Sequence, residues 1–415
     1  MGELNEFVDG LLNIEDPWKV ADVTRTVDRD GRGEVRIRVE VPFGHTVRCS
    51  GCGRECKVRD RPNERTWREL DMVGNKTLIH ARIPRSDCPE CGVKQIGIPW
   101  ARENSRFTLQ MESFIMAMVR QMPVATAADQ TGEVPNRIWR IAERYASDLV
   151  RTLDLSSVRK VGADEKCFSG RDSFLTVFAD LDTHRIIFVT EGKDSGTVGK
   201  FKRFPAKHGG NTGNISDFSC DFGSAFISGI RKHFRFSGIT CDRFHLVKMA
   251  NEALNDTKCG ELKLSVNRMK AKYLLLRNDR NISDGDRETR DRICRDNEIL
   301  GIAYRLKESL CSLYSMGDLY SAEQHLKGWI QWARFTGMYH FVKLADTAER
   351  HTACILQWFT SRLTNAVLEG TNSMISQIKN RARGFHKAGS LISMCYIVSA
   401  QEKTDMYGRV CECRR

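Results

Sequence analysis

Apolar and charged residues alternate between Glu34 and Phe43 in "EVRIRVEVPF", where Val35, Ile37, Val39 and Val41 share one side of an extended chain. This period of two predicts a half-buried strand behind a short N-terminal helix. Residues 108–151 switch to a helical period, broken across "MPVATAADQTGEVPN". A helix through Gln121, a short one around Thr126–Gln130, a turn at Gly132 and a last helix "NRIWRIAERYASDL" follow. From Val161 the chain carries short strand-like runs, "KVGADEKCF", "SFLTVFADLDTHRIIFVTE", "SDFSCDF" and "SGITCDRFH", with one helical stretch, "GSAFISGIRKHF". That order reads as a mixed α/β domain. Beyond His245 the pattern is helical, except for "RNDRNISDGDRETRDR" (Arg277–Arg292), whose charge predicts a loop.

The last helical stretch carries an unusual polar seam. Arg362, Asn365, Glu369, Asn372, Ser376, Lys379 and Arg383 recur at alternating steps of three and four, as on one helix. Trp358, Phe359, Leu363, Val367, Met374 and Ile378 cover much of the remaining surface, so the seam is expected to line a cleft. Gly370 costs about 1 kcal/mol there relative to alanine and predicts close approach of something bulky. A lone carboxylate, Glu369, followed by Lys379, Arg381, Arg383 and Lys387, suits metal-assisted chemistry on a phosphodiester.

Composition narrows the class. The 415 residues carry a net charge of +12, which favours a polyanionic partner such as double-stranded DNA. "MGELNEFVDGLL" is no signal peptide, no apolar run is long enough to span a bilayer, and fifteen cysteines without an export signal point to a reducing cytoplasm. Two knuckles of the form C-x-x-C-G, Cys49/Cys52 and Cys88/Cys91, lie 35 residues apart and predict a structural zinc site with four cysteine ligands. Cys56 lies nearby without the knuckle context. Between the pairs Arg59, Arg61, Arg65 and Arg68 surround Trp67, which suggests a nucleic-acid-facing surface. Arg137, Arg140 and Arg144 form a basic stripe opposite Ile138, Ile141 and Tyr145, as expected of a DNA-binding helix-turn-helix.

Asp164 interrupts a strand-like run, and Asp221 ends one just before a helix. Asp242 and His245 repeat that context one strand later; spacing alone leaves each open as a cap, a surface acid or a site residue.

Together "CSGCG…CPECG…PWARENSRFT", "VGADEKCFSG…TVFADLDTHRI", "CDFGSAFISGI", "CDRFHLVKMANEA" and "WFTSRLTNAVLEGTNSMISQIKNRARGF" resemble the ISL3 group of bacterial insertion-sequence transposases, over nearly the whole chain. The resemblance implies a multidomain α+β protein. An N-terminal region with a zinc-binding domain (1–107) precedes a helix-turn-helix (108–156) and an RNase H-like DDE catalytic domain (157–400). A helical insertion spans about 249–351, and a tail 401–415. It implies Asp164, Asp221 and Glu369 as catalytic acids holding Mg²⁺ or Mn²⁺, with Asp242, His245, Asn365 and Asn372 in support. Arg137, Arg140, Arg144, Lys379, Arg381 and Arg383 would contact DNA. The implied activity is transposon-end binding, phosphodiester hydrolysis and strand transfer by at least a dimer, on the bacterial nucleoid. The alternative is a domesticated, inactive DNA-binding regulator. Phe222, Gly223 and Phe226 depart from the Met-Ser and Tyr more common after the second acid.

Overall fold

The computed structural model describes residues 2–27, 31–170, 173–261, 273–277 and 282–400; the expected tail lies outside them. Two compact units form, Met1–Tyr145 and Ala146–Ser399.

In the first unit α1 (Gly2–Leu12) precedes β1 (Lys19–Val27) and β2 (Gly33–Glu40). Then come β3 (Val47–Arg48), β4 (Glu55–Cys56), β5 (Val58–Asp60), β6 (Arg65–Met72), β7 (Asn75–Ala81), β8 (Arg85–Cys88) and β9 (Gly92–Gln95). The main sheet runs β1-β2-β7-β6, and the alternation read from the sequence puts Ile37, Val39 and Val41 in its core. Trp100 meets Trp18 and Trp67 edge-on at 4.8 and 5.6 Å, an arrangement that suits the ring quadrupoles. The pairs β3-β4 and β5-β8-β9 make two small sheets that carry the cysteine knuckles.

Three helices follow: α2 (Leu109–Gln121), α3 (Val124–Thr131) and α4 (Pro135–Arg151). The Thr108 hydroxyl caps α2 by accepting from the Met111 amide at 3.2 Å, and Gly132, at φ 65°, ends α3 where a side chain would be strained.

The second unit is built on β10 (Lys160–Ser169), β11 (Ser173–Asp180), β12 (Arg185–Glu191), β13 (Asp217–Cys220) and β14 (Gly238–Cys241), in the order β12-β11-β10-β13-β14. β10 to β12 form an antiparallel meander, whereas β13 and β14 run parallel to β10. Parallel neighbours require crossovers, supplied by α5 (Ser195–Arg203) and α6 (Ser224–His233). Val161, Ala163, Phe218, Cys220 and Cys241 face these helices and pack with Val198, Phe201, Phe226 and Ile230.

After α7 (Arg243–Glu261) come α8 (Asp284–Asp296), α9 (Glu298–Ser312), α10 (Leu319–Phe335), α11 (Tyr339–Arg350), α12 (Thr352–Leu356) and α13 (Trp358–Ser361), closed by α14 (Ala366–Arg381) and α15 (Ala388–Ser399). Leu306, Leu310, Leu326, Trp329 and Phe341 form the insertion core with Trp358 and Phe359. Trp329 is a core residue, its indole N–H donating to the Leu306 carbonyl at 2.8 Å.

Two expectations fail. Of the predicted loop Arg277–Arg292, residues 284–292 are helical and 278–281 lie outside the described residues. The Ser283 hydroxyl caps α8, Asp284 and Asp286 sit in its first turn, and Ile293 anchors it. High charge there was cap chemistry. Nor is Trp358–Arg383 one helix. Arg362 turns left-handed at φ 55° and lays its guanidinium 4.5 Å from the Trp358 ring, so the chain restarts at Asn365. Arg383 is left-handed as well and lies beyond the helix end.

α14 lies along β10. A Cβ on Gly162 would come within 2.8 Å of both Leu368 and Leu181, so a larger residue would push the buried Leu368 off its seat on the strand. Gly162→Ala is expected to destabilise the chain by about 1–3 kcal/mol. In urea melts the double variant Gly162→Ala/Leu368→Ala should lose at least about 1 kcal/mol less than the sum of the single losses. Strict additivity would refute this packing.

Candidate active site and metal centre

In the first unit the four sulfurs of Cys49, Cys52, Cys88 and Cys91 all lie within 4.8 Å of one another. Tetrahedral zinc with bonds of about 2.3 Å needs sulfurs about 3.8 Å apart, and Cys52 and Cys88 stand at 3.6 Å. The Gly51 amide donates to Cys49 at 3.3 Å and the Cys91 amide to Cys88 at 3.4 Å. Backbone donors of this kind bring the Cys49 thiol down to about 6 and hold Cys88 below its usual value. Each knuckle therefore offers a ready thiolate, and the donor set fits zinc. Cys56 is turned toward the Arg54 carbonyl at 3.4 Å.

The arginines near the knuckles are occupied within the unit. Arg59 pairs with Asp87, Arg61 donates to the Val41 carbonyl at 2.9 Å, Arg65 lies over the Trp67 ring, and Arg68 is buried beside Asp71 and Glu133. In α4 the basic stripe divides. Arg137 is exposed and pairs with Glu133 at 3.0 Å, and Arg140 is exposed. Arg144 reaches inward to the fully buried Glu112 at 2.8 Å, which also accepts from the Ser105 hydroxyl. A buried carboxylate needs that cation, so Arg144 ties α4 to α2.

In the second unit strand register aligns the acids. Gly162 pairs with Ser219 and Cys220 with Cys241. Two further steps along β10, and one along each partner, bring Asp164, in the middle of β10, level with Asp221 and Asp242, which stand just past the carboxyl ends of β13 and β14. The Asp242 amide donates to the Cys220 carbonyl at 2.9 Å, continuing the ladder. Adjacent strands lie about 4.8 Å apart, so the row is a line of like charges.

The surroundings hold that row in place. Asp164 is half-buried; burial raises its pKa, and the Asp221 charge adds to this. The Glu165 amide and the Asn372 side chain oppose the shift, the latter donating to Asp164 Oδ2 at 2.6 Å. Asp221 Oδ1 accepts from the Gly223 amide at 2.9 Å, and a Cβ on Gly223 would crowd that oxygen. The departures at Phe222 and Phe226 are absorbed by packing: Phe222 meets His351 edge-on, and Phe226 is buried. Asp242, buried, caps α7 and holds His245 Nδ1 at 3.2 Å. That contact and the acid row raise the His245 pKa, which favours an imidazolium beside the carboxylates.

α14 supplies the remaining groups. Leu368 over Gly162, Asn372 on Asp164 and Lys379 Nζ 3.3 Å from the Cys167 carbonyl form one register along β10. Glu369, exposed in the first turn, stands one turn before Asn372. Asn365 is buried with both amide atoms unpaired, and Asn372 Oδ1 is unpaired too. Hard carboxylate oxygens with spare amide capacity beside them suit a hydrated Mg²⁺. Among the described residues only the cysteines bring three or more metal-ligand atoms so close, so the three acids are aligned without being gathered to that degree. Arg381 and Arg383 are exposed at and beyond the end of α14. Gly370 faces open space, since a Cβ there would meet nothing within 4 Å. Packing does not require the glycine.

Glu165, beside Asp164, belongs to the same cluster of charges. Burial first, then the Asp221 and Asp164 charges, push its carboxyl up to about 7. Its signal was adjacency to Asp164 in "GADE".

Two outcomes test these sites. Cys88→Ser should drop bound zinc, measured by elemental analysis, from about one per chain to a minor fraction and expose residues 45–95 to protease. Full retention would refute the site. For Glu165 the raised pKa means stability complete below about 4.5 and lost as pH rises through about 7. In EDTA, Glu165→Gln should therefore raise the melting temperature at pH 8 and leave it nearly unchanged at pH 4; equal shifts would overturn the assignment.

Comparison with known proteins finds the same three regions in the same order. Residues 45–91 match a model for the zinc-finger of transposase IS204/IS1001/IS1096/IS1165, residues 98–146 one for the helix-turn-helix domain of transposase family ISL3, and residues 161–395 one described as transposase. The transposase for insertion sequence element IS1557 of Mycobacterium tuberculosis is 27% identical over 436 residues, covering 96% of each chain. The transposase for insertion sequence element IS1001 of Bordetella parapertussis is 22% identical over 353 residues, 83% of this chain and 86% of its own. With its transposase region matched across more than half of its length, behind a zinc-finger and a helix-turn-helix region, the chain belongs to the ISL3 family of insertion-sequence transposases.

Proposed function

We propose that the second unit is an RNase H-like DDE domain that hydrolyses a phosphodiester at a transposon end and joins the freed 3′-hydroxyl to target DNA. The observation carrying this is the alignment of Asp164 and Asp221 on adjacent parallel strands, with α14 fastened to Asp164 through Asn372 and bearing Glu369 one turn away. The sheet order, a meander flanked by two parallel strands, supports the same fold.

Asp164, Asp221 and Glu369 would hold Mg²⁺ or Mn²⁺, which supplies Lewis acidity and a more acidic water for in-line attack. The chain's own groups do the rest. Asn372 fixes the rotamer of Asp164, the Gly223 amide fixes Asp221, and Asp242 orients His245 so that its cation faces the scissile phosphate. Asn365 keeps an unpaired amide within a turn of Glu369. Lys379, Arg381 and Arg383 extend a basic track away from the acids. Arg137 and Arg140 contact the end sequence, while Arg144 acts as an internal strut. A zinc ion on the four cysteines holds the small sheets of the first unit. Pairing of two DNA ends calls for at least a homodimer, working on the nucleoid. No helix among the described residues is long and apolar enough to cross a membrane.

The rival reading, a retired transposase that only binds DNA, makes the opposite prediction for one assay. Asp164→Ala, Asp221→Ala and Glu369→Ala should each abolish Mg²⁺-dependent cutting and joining of end DNA, with end affinity within a few-fold of the parent. Asn372→Ala should lower the rate by about 10–100-fold. A parent protein that binds ends yet neither cuts nor joins them would decide for the regulator.

A further inference from the structure

The second unit carries a strongly basic surface away from the acid row. α5 and α6 lie side by side and parallel. A Cβ on Gly229 would come within 3.0 Å of Val198, and one on Gly199 within 3.2 Å of His233 Nε2. The two glycines thus let the helices close up, which brings their C-terminal ends together. Lys202 and Arg203 end one helix; Lys232 and His233 end the other, with Arg235 just beyond. Lys202, Arg203, Lys232 and Arg235 are exposed and have no ion-pair partner among the described residues. Burial and then the charges of Lys232, Lys202 and Arg203 lower the pKa of His233, so these cations converge on one place. Neighbouring Lys200 and Arg231 are turned elsewhere, to the Glu191 carbonyl and to Cys354.

Cations at a helix C-terminus gain about 0.3–1 kcal/mol from the dipole. That gain accounts for one or two of them. It does not account for two such sets pressed together with no ion-pair partner among the described residues, nor for Phe236, which stands wholly exposed beside Arg235. Unscreened cations with an exposed ring are the chemistry of a nucleic-acid backbone contact. The place is distinct from the acids. α6 starts after Asp221 at the carboxyl end of β13 and leads back to the amino end of β14, about 15 Å away along ten residues.

We propose that the paired ends of α5 and α6 form a second DNA-contact surface, gripping duplex phosphates regardless of sequence, with Phe236 against the deoxyribose edge. It rests on the transposase reading for its choice of polyanion. It does not depend on the chemistry at the acids.

Binding of a random-sequence duplex to the full chain, followed by fluorescence anisotropy in EDTA over a range of salt, tests it without any cutting. The variant Lys202→Ala/Arg203→Ala/Lys232→Ala/Arg235→Ala should reduce the slope of log affinity against log salt by about 3–4 and weaken binding by about tenfold or more at physiological salt. Phe236→Ala should weaken binding a few-fold and leave the slope unchanged. A charge-matched control, Arg295→Ala/Lys327→Ala/Lys343→Ala/Arg350→Ala on the helical insertion, should change the slope by less than one unit. Equal slopes for both quadruple variants would overturn the proposal, because net charge alone would then explain them. So would an unchanged slope in the first variant, including the case where it loses binding only to poly-glutamate and the surface serves an acidic protein. Should the first variant misfold, its melting temperature will show it, and Lys232→Gln/Arg235→Gln must then give about half the slope change. If end cutting is never seen but the slope falls, this surface stands and the DDE reading fails. If cutting is intact and the slope is unmoved, the surface alone fails.

Discussion

The seating of α14 on β10 is the constraint on which the candidate site depends. Four residues of helix advance about 6 Å and two of strand about 6.6 Å, so Leu368 and Asn372 fall in step with Gly162 and Asp164. Glycine at 162 sets the depth of the helix, and the amide of Asn372 sets its rotation. Carried on to Lys379 and Cys167, the same match keeps the helix straight along the strand. Glu369, more than two hundred residues from Asp164 in sequence, owes its position to this packing.

A row of acids across three neighbouring strands opposes folding, and the chain offsets it locally. Asp164 and Asp221 each take a backbone amide, Asp164 also takes Asn372, and Asp242 is spent on α7 and His245. What remains uncompensated shows as raised pKa values at Asp164 and Glu165. Perturbation of that kind is common where carboxylates are held close together.

The first unit solves a different problem. Its two small sheets have too little apolar area to stand alone, and four sulfurs take the place of a core there. Much of the basic charge nearby is internal, on Arg61, Arg68 and Arg144. Part of the basic charge of this unit is therefore taken up by internal contacts.

Much of this was legible in the amino-acid order, because periodicity and ligand spacing are local. The alternation at Val35–Val41, the helices around Gly132, the strands from Val161 and the cysteine knuckles all follow from neighbours within a few residues. The seam through Glu369 was legible only in part. Its members from Asn365 to Lys379 share a helix or its cap, but Arg362 and Arg383 leave through left-handed turns that helical spacing does not reveal. Ser283 turned an apparent loop into a helix through one cap. Gly370 faces open space, whereas the close approach at Gly162 exists only once α14 is laid on β10. Which arginines are struts, which acids share a level and why Glu165 is perturbed were decided by strand register and burial. Those depend on segments far apart in the chain, and no local pattern encodes them.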